Sequence, residues 1–204
     1  MIPKIIFQIS LAPPKRYVIQ LLKEWAPNHQ YFHFTDEGIL SFFEENPIFG
    51  LEDIKAKFLS LKNGAHKADL FRYYFLYLRG GVYIDSDAML NCDIESIVKD
   101  NTFLSVESSA HPGTIFNGFI ASCPANSIIY AALINAYRIN SRELNSNYHL
   151  LCKNLYGIIQ NIDQKYWKLY IEVFYDDNTY AVVNDEGDLI LFHYWKNKEI
   201  PYIN

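Results

Sequence analysis

The period of the apolar positions changes several times along the chain, and each change marks an element. Residues 2–9 form a nearly continuous apolar run that ends before Pro13-Pro14, as expected of a strand covered on both faces. Val18, Leu21, Leu22 and Trp25 then recur at helical intervals, which predicts a helix over 17–25 that stops before Pro27. Residues 31–34 alternate as a second strand, and Thr35 or Asp36 can cap a helix running towards Pro47. Another helix is predicted over 52–61, and Asn63-Gly64 reads as a turn. Residues 65–78 are helical and densely aromatic. Gly80-Gly81 ends that helix, and 82–84 is a short strand that runs into Asp85-Ser86-Asp87. Strands are expected at 103–107 and 118–122, with Pro124 in the first turn of a long helix reaching about Ile139. A helix over 148–162 follows, then strands at 168–174, 180–183 and 189–195, the last after an Asp185-Glu186-Gly187 turn. Strands and helices alternate early and strands cluster late. That order predicts an α/β chain whose mixed central sheet is flanked by helices.

With 204 residues, 50% of them hydrophobic and 20% charged, the chain has the size and balance of one globular domain over 1–204. The unusual figure is an aromatic content of 16%, with 16 Tyr and 14 Phe, which suits a thick core and clefts where rings meet ligands. A formal charge of −5 has the wrong sign for coating nucleic acid or an anionic membrane. Cys92, Cys123 and Cys152 have no metal-type spacing and read as reduced thiols. The first residues lack a signal-peptide pattern, and the long aromatic stretch carries Asp69, Arg72 and Arg79, so no integral membrane segment is expected. The expectation is a soluble, cytoplasmic protein.

Two features carry chemistry. Residues two apart on an extended backbone point the same way, so Asp85 and Asp87 can share one side at the end of their strand, where open α/β sheets bind ligands. Two carboxylates so close repel unless a cation lies between them, and Mn²⁺ or Mg²⁺ accepts such oxygen ligands together with substrate phosphates. Asp69 and Arg72 lie at i, i+3 on a helix that is otherwise almost wholly apolar. A buried carboxylate and guanidinium need polar partners, and a polyhydroxylated ligand supplies them. The plain alternatives are a polar turn after a strand and a surface ion pair worth a few tenths of a kcal/mol.

The run Asp69-x-x-Arg72, followed by Gly80-Gly81-x-Tyr83-x-Asp85-x-Asp87, resembles the signature of glycosyltransferase family 32, the sugar transferases with a DXD motif. That family includes yeast-type initiating mannosyltransferases and bacterial capsule and lipopolysaccharide sugar transferases, with clostridial glucosylating toxins as remote relatives. Residues 2–9 resemble its opening Ile-Pro-Lys-x-Ile-His-Gln, residues 117–122 with Pro124 resemble a later strand, and His193 with Trp195 resembles its late His and Trp. The resemblance implies a GT-A fold. It also implies retaining, metal-assisted transfer of a hexose from a UDP- or GDP-sugar to a glycan, lipid-linked or protein acceptor, as in polysaccharide biosynthesis. Residue by residue, it implies that Asp87 binds the metal directly and that Asp85 serves ribose and metal. His193 would be a late metal or diphosphate ligand. Asp69 and Arg72 would grip donor sugar hydroxyls, Tyr83 would line the nucleotide pocket, and Asn117 would lie near the transferred sugar or the acceptor.

The chain departs from the pattern at Phe7, where the family has His, and at Ser10, where it has a Trp that stacks on the base. Phe7 and Tyr83 are then the rings left to meet the nucleotide. The family's late Gly-Pro segment has no clear counterpart. Two other classes compete: a two-metal phosphohydrolase using Asp69, Asp85, Asp87 and Glu107, and a catalytically silent GT-A-like domain that binds a nucleotide or glycan. The acidic chain offers the first no basic stripe and gives Arg72 no task. The intact Asp69, Arg72, Asp85 and Asp87 stand against the second. His66 and His111 receive no role, and Trp25 and Trp167 are expected to pack.

Overall fold

A computed structural model describes residues 1–176 and 179–194. In chain order it begins with β1 (Ile5–Ile9), α1 (Arg16–Trp25), β2 (Gln30–Phe34), α2 (Asp36–Glu45), α3 (Ile54–Ser60) and α4 (Gly64–Arg79). It continues through β3 (Gly81–Ile84), β4 (Met89–Leu90), α5 (Ile94–Val98), β5 (Phe103–Glu107), β6 (Phe119–Ser122) and α6 (Ser127–Arg138). Then come α7 (Ser141–Ser146), α8 (Leu150–Gln160), a 3-10 turn (Gln164–Tyr166), β7 (Lys168–Asp176), β8 (Thr179–Val183) and β9 (Leu189–Tyr194). The nine strands among the described residues form one mixed sheet in the order β2-β1-β3-β6-β5-β7-β8-β9-β4. β1, β2 and β3 run parallel, β6 runs against β3, and β7 returns parallel to β5.

Alternation along the central strands divides the interior in two. Phe7, Tyr83 and Ile120 point to one face of the sheet, into a core shared with α2, α3, α4, α6 and α8. Ile6, Val82, Ile84, Phe119 and Ala121 point to the other, into a smaller and largely aliphatic core with α1 and α5. The first core holds most of the aromatic excess. Phe7 and Phe75 lie 4.2 Å apart, Phe43 and Tyr74 4.7 Å, and Phe34 and Phe71 4.8 Å, mostly tilted or edge-on. Such pairs each contribute about 0.5–1.5 kcal/mol beyond the area they bury.

α4 runs through this core, and every residue from Asp69 to Leu76 is buried. Asn63 starts it: its side-chain oxygen accepts from the Ala65 amide at 2.9 Å. The Asn63-Gly64 pair is therefore a cap and first helical residue, not the expected turn, because an amide side chain that satisfies a free helix donor outcompetes a chain reversal. At the other end Gly80 and Gly81 take φ of 65° and 102°. A side chain at Gly80 would also meet Pro124 and Pro3 at 2.8 Å, so only glycine turns the chain there.

Pro124 likewise precedes its helix. The cap of α6 is Asn126, which accepts from the amides of Ile128 and Ile129, and the helix starts at Ser127. The short β4, α5 and α7 have no strong periodic signal and are additions to the sequence reading. The expected last strand ends at Tyr194, and Trp195 lies outside the described residues. No helix among the described residues is long and apolar enough to cross a membrane.

Candidate active site

A cleft of about 940 Å³ opens where β1 and β3 end and α4 begins. The backbone of its floor is fixed from below. Fully buried Gln8 donates to the Asp85 carbonyl at 3.0 Å, and Tyr31 donates to Gln8 at 2.9 Å. The Asp85 amide donates to the Gly118 carbonyl at 2.9 Å, which ties the end of β3 to the start of β6.

Arg72 is the centre of the first polar group. Its guanidinium lies 3.4 Å from Asp69 Oδ1 and 3.8 Å from Asp85 Oδ1, and stacks 4.0 Å over the Tyr83 ring. It also donates to the Asn117 carbonyl and, at 3.3 Å, to that of Ala68. Tyr83 donates to Asp85 Oδ1 at 2.6 Å. The Asn117 amide nitrogen donates to Asp69 Oδ1 at 3.0 Å and to the Tyr73 oxygen at 2.8 Å. Its Oδ1, although buried, has no hydrogen-bond partner among the described residues.

Burial pushes the Asp69 carboxyl above the usual range, against the pull of Arg72 and Asn117. Burial also opposes the charge on Arg72, but the facing Tyr83, Asp69 and Asp85 outweigh it and keep the guanidinium firmly protonated. Tyr83 and Tyr73 are raised, chiefly by burial, and stay neutral donors.

Asp69, Arg72, Tyr83, Asp85 and Asn117 thus come together as one group, and Asp87 stands exposed in the same cleft. Phe7 does not join them. It is fully buried in the aromatic core, 5.2 Å from the Tyr83 ring, because the alternation of β1 turns it beneath α4. It therefore cannot touch a nucleotide in the cleft and acts only as backing for Tyr83. His193 reaches the cleft wall, but its near partner is Glu172. Among the described residues no three His, Cys, Asp or Glu side chains converge as a metal cluster, so Asp85, Asp87 and His193 are not a preassembled ligand set. Ser10 turns to its own loop, donating to Ala12 at 2.6 Å, and Glu107 faces Tyr156.

A second polar group, invisible in the motif, forms another part of the cleft wall. Glu172 Oε2 accepts from Ser108 Oγ at 2.6 Å and from the Ala110 amide at 3.1 Å, while Oε1 lies 2.9 Å from His193 Nε2. Burial works to raise this carboxyl, but the hydrogen bonds of His193, Ser108 and Ala110 prevail and hold it below the usual range. Phe116 stacks on His193 with ring centres 4.0 Å apart. The cleft also carries Tyr148, Cys152 and a tilted His111–His149 pair with ring centres 3.9 Å apart. His66 contacts the Tyr148 carbonyl at 3.0 Å. The sequence signal for Glu172 is an acidic residue at an inward position of an alternating strand, two residues from buried Tyr170.

Residues 14–104 match the family described as the glycosyltransferase sugar-binding region containing DXD motif. Over 113 residues, 55% of this chain, the sequence is 31% identical to inositol phosphoceramide mannosyltransferase 1 of Schizosaccharomyces pombe. Over 77 residues, 38% of the chain, it is 34% identical to the initiation-specific alpha-1,6-mannosyltransferase of Saccharomyces cerevisiae. The chain spans 34% and 16% of those relatives' own lengths. Among solved structures the PaToxG glycosyltransferase superposes with a TM-score of 0.58 at 16% identity, over 80% of this chain and 71% of that one. The mixed sheet with flanking helices is accordingly a GT-A-like fold. Residues 14–104 are therefore similar to the sugar-binding region of the DXD-motif sugar transferases, the family that the motif at Asp85 and Asp87 resembles.

Proposed function

We propose that the chain, acting as one domain, is a retaining, metal-assisted hexosyltransferase. It would move a hexose from a UDP- or GDP-sugar to a hydroxyl of a glycan, lipid-linked or protein acceptor. The observation that supports this best is the convergence of Asp69, Arg72, Asn117 and Asp85 in one cleft with Asp87 exposed beside them. Both relatives are named for mannosyl transfer, which makes mannose the first hexose to test.

The donor set fits a hard divalent cation. Asp85 and Asp87 offer carboxylate oxygens at the end of β3, the ligand type that Mn²⁺ and Mg²⁺ take together with diphosphate oxygens and water. When bound, such a cation supplies Lewis-acid stabilisation to the departing diphosphate. The chain's own residues do the rest. Asp69 is held against Arg72 and Asn117, and can accept a hydroxyl of the donor sugar without moving. The open Asn117 Oδ1 can accept another. The carboxylates of Asp69 and Asp85 place negative charge where the sugar ring becomes cation-like in the transition state.

The test is nucleotide release from GDP-mannose, UDP-glucose and UDP-galactose, each with Mn²⁺ and with EDTA. Metal-dependent release that falls by about 10²–10³-fold in Asp87→Ala is expected. If no donor binds or turns over with any metal, the reading fails. Metal-dependent binding without turnover would favour the silent binder instead.

A further inference from the structure

Glu172 is 2% exposed on the face of its strand that also carries buried Tyr170. In register it lies opposite Val182, which lies opposite Leu191, and both are fully buried in the aliphatic core. His193, two residues beyond Leu191, shares that face, so carboxylate and imidazole meet diagonally across β8 at 2.9 Å. A buried ionic pair is often no more stabilising than apolar residues of the same size, so stability alone does not account for a carboxylate here. What the carboxylate does supply is a fixed position for two pieces of the cleft wall.

The first piece is the 108–116 loop. Glu172 Oε2 accepts from Ser108 Oγ and the Ala110 amide, and the same Ser108 Oγ accepts from the His111 amide at 3.2 Å. The second is the His193 ring, which is clamped between Glu172 and Phe116. Phe116 leans in turn on Gly118: a side chain there would lie 2.1 Å from the Phe116 ring and 2.6 Å from Asp85 Oδ2. The chain of contacts therefore runs from Glu172 through two rings to the backbone beside the DXD carboxylate.

We propose that Glu172 is a positioning residue that locks the His193 imidazole and the 108–116 loop into one rigid wall of the cleft. Its kinetic consequence rests on the sugar-transfer reading; its geometric consequence does not. Glu172 Oε1 lies 2.9 Å from His193 Nε2 on one side and Phe116 stacks on the ring, so the wall keeps one orientation towards the donor group.

The test uses the full chain with Glu172→Gln and Glu172→Ala, read by nitrogen NMR of the His193 ring and by amide exchange at 110 and 111. Glutamine keeps an oxygen for Ser108 and Ala110 but presents an amide N–H to the imidazole. In Glu172→Gln the His193 ring signals therefore shift, because its carboxylate neighbour becomes an amide, and loop exchange stays near wild type. In Glu172→Ala exchange at 110 and 111 accelerates about tenfold, the effect of one lost hydrogen bond. With GDP-mannose or UDP-glucose and Mn²⁺, Glu172→Gln lowers kcat of donor hydrolysis about 10–100-fold, with donor Kd within about twofold and Tm little changed. Ring signals and exchange that stay wild-type in both variants overturn the proposal, as does an unchanged kcat in Glu172→Gln. Should the wild type bind no donor, the sugar-transfer reading falls, and the ring and amide measurements still decide whether Glu172 positions the wall.

Discussion

The two polar groups line the same cleft and are both largely buried, yet one is open and the other closed. Around Arg72 a single guanidinium serves two carboxylates, Asn117 keeps an acceptor oxygen without a partner among the described residues, and the Asp85 side chain is 34% exposed. Around Glu172 a hydroxyl and an amide donate to Oε2, and the His193 ring lies 2.9 Å from Oε1. An unpartnered buried acceptor costs about 1–3 kcal/mol, which a ligand hydroxyl can recover. An open group of this kind gains from substrate, whereas a closed one gains nothing from it and can only hold. On the sugar-transfer reading proposed above, that difference separates a wall that binds from a wall that braces.

The hardest way to break that contrast is Arg72→Ala, which leaves Asp69 buried without its cation. Stability in urea should fall by about 3–5 kcal/mol, and a loss below about 1 kcal/mol would show that the open group is not held by charge. Gly118→Ala strikes both walls at once, forcing the Phe116 ring off His193 and crowding Asp85. We expect a loss of about 1–3 kcal/mol, together with slower donor hydrolysis; unchanged turnover would show that the two walls are independent. Ser108→Ala removes one strand of the closed group and should cost about 1.5 kcal/mol, with no change in metal-dependent nucleotide affinity.

The smallest effect is the most discriminating. Glu172 is held below the ordinary carboxyl range, so its contribution is present above the unfolded value near ~4.3 and lost as pH falls through the lower folded value. Asp69 is raised, chiefly by burial, so its contribution is present below ~3.9 and lost as pH rises through its folded value. Tm measured from about pH 3 to pH 6 should therefore lose its acid limb in Glu172→Gln and gain relative to wild type with rising pH in Asp69→Asn. Parallel pH profiles for the two variants would remove the distinction.

The open group is legible in part because two pairs within it are local. Asp69 and Arg72 share one helix face, and Asp85 and Asp87 share one strand end, whereas Asn117, 48 residues from Asp69, is placed by the resemblance and not by spacing. The closed group is not local. Ser108 and Glu172 are 64 residues apart, and His193 meets Glu172 only through the register of β8. Phe7 was misassigned for a related reason: in a strand buried on both faces the apolar run is continuous, and the sequence does not say which side meets the cleft. Asn63 shows a smaller failure, in which a side chain that can either turn the chain or cap a helix caps it.

The sheet order has a consequence for what residues 14–104 can be. That segment holds β2, β3, β4 and the start of β5, and in the order β2-β1-β3-β6-β5-β7-β8-β9-β4 no two of these are neighbours. Every ladder they form is closed by β1, β6, β7 or β9, which lie outside it. Cut out and expressed alone, the fragment would present only open strand edges and two bare carboxylates on a chain without a sheet. The stretch that records ancestry is thus a unit of inheritance but not a unit of folding, and its chemistry exists only when the flanking sequence completes it.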